Sequence, residues 1–78
     1  MTVRDIRKEK KITQQYLANK LFVSQKLVSG WETGNREPSV LIIPKLAKIL
    51  NCSIEELVLA IIETKKEVKN GKVHSWFY

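Results

Sequence analysis

The 78-residue chain holds one cysteine, Cys52, and one histidine, His74. A single thiol excludes an internal disulfide and is compatible with a reducing compartment. Cys52 is expected as a buried core thiol, since a redox sensor needs an exposed, acidified one. A lone histidine cannot assemble the ligand set of an ordinary zinc site. The longest apolar runs fall well short of the roughly 18 residues a membrane span needs. The N-terminal MTVRDIRKEKK is charged and lacks an apolar h-region, so no signal peptide is expected. There is no nucleophile–base pairing, paired-carboxylate motif, phosphate-binding glycine loop, internal repeat or low-complexity segment. A chain this short has little room for a deep pocket beside a core. Neither an enzyme, a cofactor nor a small-molecule ligand is expected.

What is present is a small basic domain. Hydrophobic residues make up 44%, enough for a single core. Fourteen basic against eight acidic residues leave a formal net charge of +6, which favours a polyanionic partner. Charge alone is weak evidence, because many small basic domains bind no nucleic acid.

The decisive stretch is TQQYLANKLFVSQKLVSGWETGNREP, Thr13 to Pro38. It reads as two short helices joined by a tight break, the second followed by a glycine-containing loop. Thr13 is an N-cap residue, and Tyr16, Leu17, Ala18 and Leu21 supply one buried stripe. Phe22 and Val23 form the turn, and Ser24 caps the next helix. There Val28, Trp31 and Glu32 fall on one side, and the polar Gln25, Lys26 and Ser29 on another. A helix with an apolar inner edge and hydrogen-bonding groups near its start suits reading of base edges in a DNA major groove.

These residues carry a resemblance. I-T-Q-x-x-L-A, V-S-x-x-x-V-S-x-W-E-x-G, R-E-P-S and L-A-x-I-L-N-x-S-x-E-E-L run in order from Ile12 to Leu57, and Arg4 to Lys11 fits a preceding helix. The chain resembles the Cro/C1-type helix-turn-helix domain, often called the XRE family. Two positions depart from its pattern. The turn residue Phe22 is usually small, because the backbone there tends to positive φ, and a Phe costs about 1 kcal/mol of strain. Gly30, inside the recognition helix, costs about 1 kcal/mol relative to Ala and offers a base no side chain.

The resemblance implies an all-α, compact five-helix lambda-repressor-like domain over residues 1–62, with helices two and three as the helix-turn-helix. Its helices are expected at about 2–11, 14–21, 25–32, Leu41 or Ile42 to Leu50, and from Ser53 onward. Gly34 is expected to end the third helix with positive φ, and Asn51 to end the fourth. Ser53 and Glu56 form a capping box for the fifth, which carries Ile54, Leu57, Val58, Ile61 and Ile62. Residues 63–78 form a basic, aromatic tail. It is either a helix extension or a short hairpin, since Asn70-Gly71 suits a helix end and a type I′ turn alike.

Several roles follow from the resemblance. Gln25, Lys26 and Ser29 would read bases, Gln25 matching adenine N6 and N7. Gln14, Ser24, Asn35 and Arg36 would contact the sugar-phosphate backbone, with Gln14 also bracing Gln25. The alternative for each is a solvated polar side chain. Arg7 and Glu32 would hold helix one against the recognition helix. Lys45, Lys48, Lys65, Lys66, Lys69 and Lys72 read as solvated charges.

Together these imply a cytoplasmic DNA-binding transcriptional regulator, a repressor. Its partner is double-stranded DNA, bound as a homodimer on a near-palindromic operator, without a membrane. The dimer contact is expected at Ile61, Ile62, Trp76 and Phe77, the leftover apolar surface. Two other readings stand beside it: an antitoxin that also binds a toxin, and a protein-interaction module that has lost DNA binding.

Overall fold

Hydroxyl side chains open most of the helices. The computed structural model describes residues 1–69, and these form five helices and no strand. Before α1 (Val3–Glu9), the Thr2 hydroxyl accepts from the Asp5 N–H at 3.2 Å and the Asp5 carboxylate accepts from the Thr2 N–H at 2.9 Å. Thr13 precedes α2 (Gln14–Leu21) and accepts from the Tyr16 N–H. Ser24 precedes α3 (Gln25–Thr33) and accepts from the Leu27 N–H. Such a cap satisfies an N–H group that the first turn leaves without an intrahelical partner, and each stabilises by about 1 kcal/mol. α4 (Ile43–Ile49) has no side-chain cap; Pro44 takes its first turn, where the missing N–H costs nothing. It starts just after the expected Leu41 or Ile42, because residues 40–42 form a turn over the Ser39 carbonyl. Ser53 and Glu56 form the expected reciprocal box before α5 (Ile54–Lys69). The Ser53 N–H holds the Glu56 carboxyl below the usual range.

The helix ends share a second device. Lys11, Phe22 and Asn51 all sit in the left-handed region, with φ of 59°, 56° and 54°. In each case the next N–H reaches back five residues: Ile12 to the Arg7 carbonyl, Val23 to Ala18 and Cys52 to Ala47. This closure occupies carbonyls that a helix end would otherwise leave open. Lys11 therefore stops α1 at Glu9, short of the expected end. Phe22 has the positive φ expected of it, and its ring is 94% exposed, so no packing offsets the strain. Gly34 ends α3 with φ 81°.

α2 and α3 pack against α4 and α5 around Leu17, Val28, Trp31, Leu46, Leu50 and Leu57, all nearly or fully buried. Ala18 is 1% exposed, small enough to let α3 close on α2. Tyr16 departs from the expected buried stripe: it is half-exposed, with the Lys20 ammonium 5.5 Å from its ring centroid. Cys52 packs half-buried against the core, and burial pushes its thiol up, away from the reactive thiolate a redox sensor needs.

α5 continues unbroken past Ile62 and so selects the helix extension. A hairpin through Asn70-Gly71 would need the residues up to Lys69 extended. Asn70 onward, with His74, Trp76 and Phe77, lies outside the described residues. Among the described residues, Glu63, Thr64 and Lys65 tie the extension to the domain; the Glu63 carboxylate accepts from the Met1 ammonium at 3.1 Å. Thr64, 1% exposed, accepts from the Val3 N–H at 3.2 Å and donates to the Ala60 carbonyl at 2.8 Å. Lys65 is not merely a solvated charge: its Nζ donates to the Gly34 carbonyl at 3.1 Å and pairs with Glu37 at 3.1 Å. It therefore clamps α5 to the loop after α3.

Thr64→Val keeps the shape of the side chain and leaves the buried Val3 N–H without its acceptor. The expected loss of stability is about 1–3 kcal/mol. Urea unfolding should show a lower midpoint at unchanged slope.

Candidate nucleic-acid interface

The outer face of the α3 start is open. Ser24, Gln25 and Lys26 are exposed, as are Asn35 and Arg36 in the loop that follows α3. Ser24, Lys26, Leu27, Gly30, Thr33, Asn35 and Arg36 line one shallow groove of about 400 Å³. The structure thus brings most of the expected DNA contacts onto a single surface.

Beneath that surface runs a hydrogen-bond chain. The Gln25 Nε2 donates to Gln14 Oε1 at 3.3 Å, and the Ser29 hydroxyl donates to the same oxygen at 2.8 Å. Gln14 Nε2 donates to Glu32 Oε1 at 3.0 Å. A carboxylate only accepts, so the Gln14 amide must turn its nitrogen to Glu32 and its oxygen to Gln25 and Ser29. Glu32 has no exposed side-chain area. Its Oε2 accepts from Arg7 Nε, and its Oε1 from Arg7 Nη2 at 3.1 Å and Arg4 Nε at 3.3 Å. Arg7 Nη1 also donates to the Ile12 carbonyl at 2.8 Å. One carboxylate therefore joins α1, α2 and α3.

Two expectations change. Ser29 was expected to face bases, but it is 5% exposed and turned onto Gln14. It sits four residues after Gln25 and three before Glu32, on the stripe of α3 that meets α2. Gln14 is 8% exposed, and both ends of its amide are engaged within the domain. That leaves it a brace for Gln25 and Glu32, with little reach toward a phosphate. The Arg7–Glu32 contact occurs as the resemblance implies. Arg4, as a second cation on Glu32, was missed, although its spacing of three from Arg7 puts both on one face of α1. Thr64 and Lys65 were missed as well; their partners lie 61 and 31 residues away, and no local pattern announces them.

The Helix-turn-helix family profile matches residues 3–57. The chain belongs to the helix-turn-helix family, in its Cro/C1 type. This is a family of non-enzymatic, DNA-binding transcriptional regulators. BcrR of Enterococcus faecalis, an HTH-type transcriptional activator, is 27% identical over 97% of this chain and 40% of its own length. The competence pilus inhibition repressor of Acinetobacter baylyi is 40% identical over 73% of this chain and 52% of its own length. YazB of Bacillus subtilis, an uncharacterized HTH-type transcriptional regulator, is 42% identical over 70% of this chain and 80% of its own length. The chain spans about half or less of the first two of these relatives. No solved structure matches. Among the described residues no helix is long and apolar enough to cross a membrane, and no cluster of metal-ligating side chains occurs.

Glu32→Ala would leave the Arg7 guanidinium, 10% exposed, without its carboxylate, and should destabilise the domain by about 3–5 kcal/mol. Arg7→Ala in the Glu32→Ala background should cost much less than it does alone. Thermal melts of both single variants and the double variant measure this, and additive losses would show the two side chains uncoupled.

Proposed function

We propose that the chain is a cytoplasmic, sequence-specific transcriptional repressor that places α3 in the DNA major groove. The observation that carries this reading is Gln25. It is exposed on the first turn of α3 and held from behind by Gln14, which is itself anchored to Glu32. One amide hydrogen of Gln25 goes to Gln14. The other hydrogen and the carbonyl oxygen remain for adenine N7 and N6. Lys26 beside it offers a cation to guanine O6/N7 or to a phosphate. Ser24, Asn35 and Arg36 flank the groove and suit contact with the sugar-phosphate backbone. The net charge of +6 supplies long-range attraction. A relative 40% identical over 73% of this chain, the competence pilus inhibition repressor, supports repression.

The departures at Phe22 and Gly30 do not favour a domain that has lost DNA binding. Phe22 occupies its left-handed position without disturbing the turn, and Gly30 has a packing reason of its own.

A single recognition helix reads few base pairs, so two copies on a near-palindromic site, with α3 helices about 34 Å apart, give useful affinity. The exposed apolar face of α5 supports assembly there. Ile54, Val58, Leu59 and Ile62 are 52%, 38%, 59% and 44% exposed, and Ile61 is half-buried beside them. Trp76 and Phe77 are proposed to extend that contact.

Gln25→Ala should weaken binding to a selected operator by about 1–3 kcal/mol and binding to random DNA much less. Mobility shifts on both DNAs test this; equal losses would remove Gln25 from base reading. Ile62→Glu should shift the chain toward monomer in sedimentation at micromolar concentration and weaken operator binding through it. A wild-type monomer that binds one half-site at full strength would overturn the dimer.

A further inference from the structure

Where the chain returns to α3 at Arg36, it meets a glycine. The Arg36 N–H donates to the Gly30 carbonyl at 3.0 Å, reaching back six residues rather than the five of the other helix ends. A Cβ on Gly30 would lie 2.8 Å from Arg36 Cγ and 3.2 Å from Arg36 Cβ. These atoms belong to the stem of the arginine, next to a main chain already tied to the helix, so they have little freedom to retreat. Gly30 faces the groove that Lys26, Asn35 and Arg36 also line.

We propose that Gly30 is the positioning residue that seats Arg36 on the recognition helix, so that the guanidinium shares the DNA-facing groove with Lys26. The proposal rests on the DNA-binding reading above and deepens it. The helix gives up a side chain of its own at residue 30, and a longer cationic one enters from the loop. A guanidinium offers several donors in a planar fork, suited to a pair of acceptors such as guanine O6/N7 or phosphate oxygens. Gly30 also weakens the helix relative to alanine, so its presence in the middle of α3 calls for a compensating contact.

The test is a cycle of Gly30→Ala, Arg36→Gly and both together, in the full chain. Binding is read by fluorescence anisotropy on DNA that the wild type selects from a random pool. Each single substitution should weaken binding by about tenfold, the loss of one strong contact, and lower the salt slope by about one unit. The double variant should bind no worse than Arg36→Gly alone. Melting temperature gives an independent reading. Gly30→Ala should melt lower than wild type when Arg36 is present. It should melt higher than Arg36→Gly when residue 36 is glycine, because alanine is then only a better helix former. Wild-type affinity for Gly30→Ala, losses that multiply in the double variant, or a melting loss that persists without Arg36 would each overturn the proposal. Where Gly30→Ala does not fold, the melt of the double variant decides in the same way. A wild-type chain that selects no sequence would fail the DNA reading itself, and the melting cycle would still report whether Gly30 makes room for Arg36.

Discussion

The Glu32 carboxylate is the constraint on which the placement of α3 depends. It has no exposed side-chain area and accepts from Arg4 and Arg7 on α1 and from Gln14 on α2. An isolated carboxylate at that depth would be strongly destabilising, so the site holds only while its donors are in place. Each donor comes from a helix start or from α1, and each fixes a direction as well as a distance. The net stabilisation of such a cluster is modest, since desolvation offsets much of the attraction. Its larger effect is on orientation: α3 cannot rotate or slide against α1 and α2 without breaking charged hydrogen bonds in a dry site.

The domain solves its helix ends with one repeated closure and one variation. Left-handed residues at Lys11, Phe22 and Asn51 each let the next N–H return to the helix, and none of them is glycine. Lys11 and Phe22 carry strain of about 1–2 kcal/mol, and Asn51 less, because asparagine enters this region readily. The end of α3 differs. Gly34 takes the left-handed position, and the chain runs two residues further before Arg36 returns to the Gly30 carbonyl. Lys65 then occupies the Gly34 carbonyl from α5. The loop that approaches DNA in the proposed function is thus held at both sides, by α3 itself and by α5.

Much of this was legible locally. Thr13, Ser24 and Ser53 announced their helices by capping chemistry, and Phe22 and Gly34 announced positive φ by position. The Arg7–Glu32 contact came through the resemblance. What was not legible was depth. Gln14 and Ser29 are polar, and polarity alone predicts exposure, yet both are buried. Gln25, Ser29 and Glu32 stand at steps of four and three, which places them on one stripe of α3. A polar stripe looks like a solvated face unless its partners are known, and here they are Gln14, which meets all three residues, and Arg4 and Arg7, which meet Glu32. Arg4, Thr64 and Lys65 act across long separations in the chain, where periodicity carries no signal.

That polar stripe explains why the inner edge of the recognition helix is not wholly apolar. Leu17, Val28 and Trp31 provide the burial that holds α2 and α3 together. Apolar contacts are non-directional, and a helix resting on them alone tolerates small shifts in register. Base reading does not tolerate such shifts, because a bidentate contact fails when its donors move by about half an ångström. The chain Glu32–Gln14–Gln25 transfers the fixed position of a buried carboxylate to an exposed amide through two hydrogen bonds. The apolar residues set how firmly α3 stays in the fold, and the buried polar ones set where its outer side chains stand.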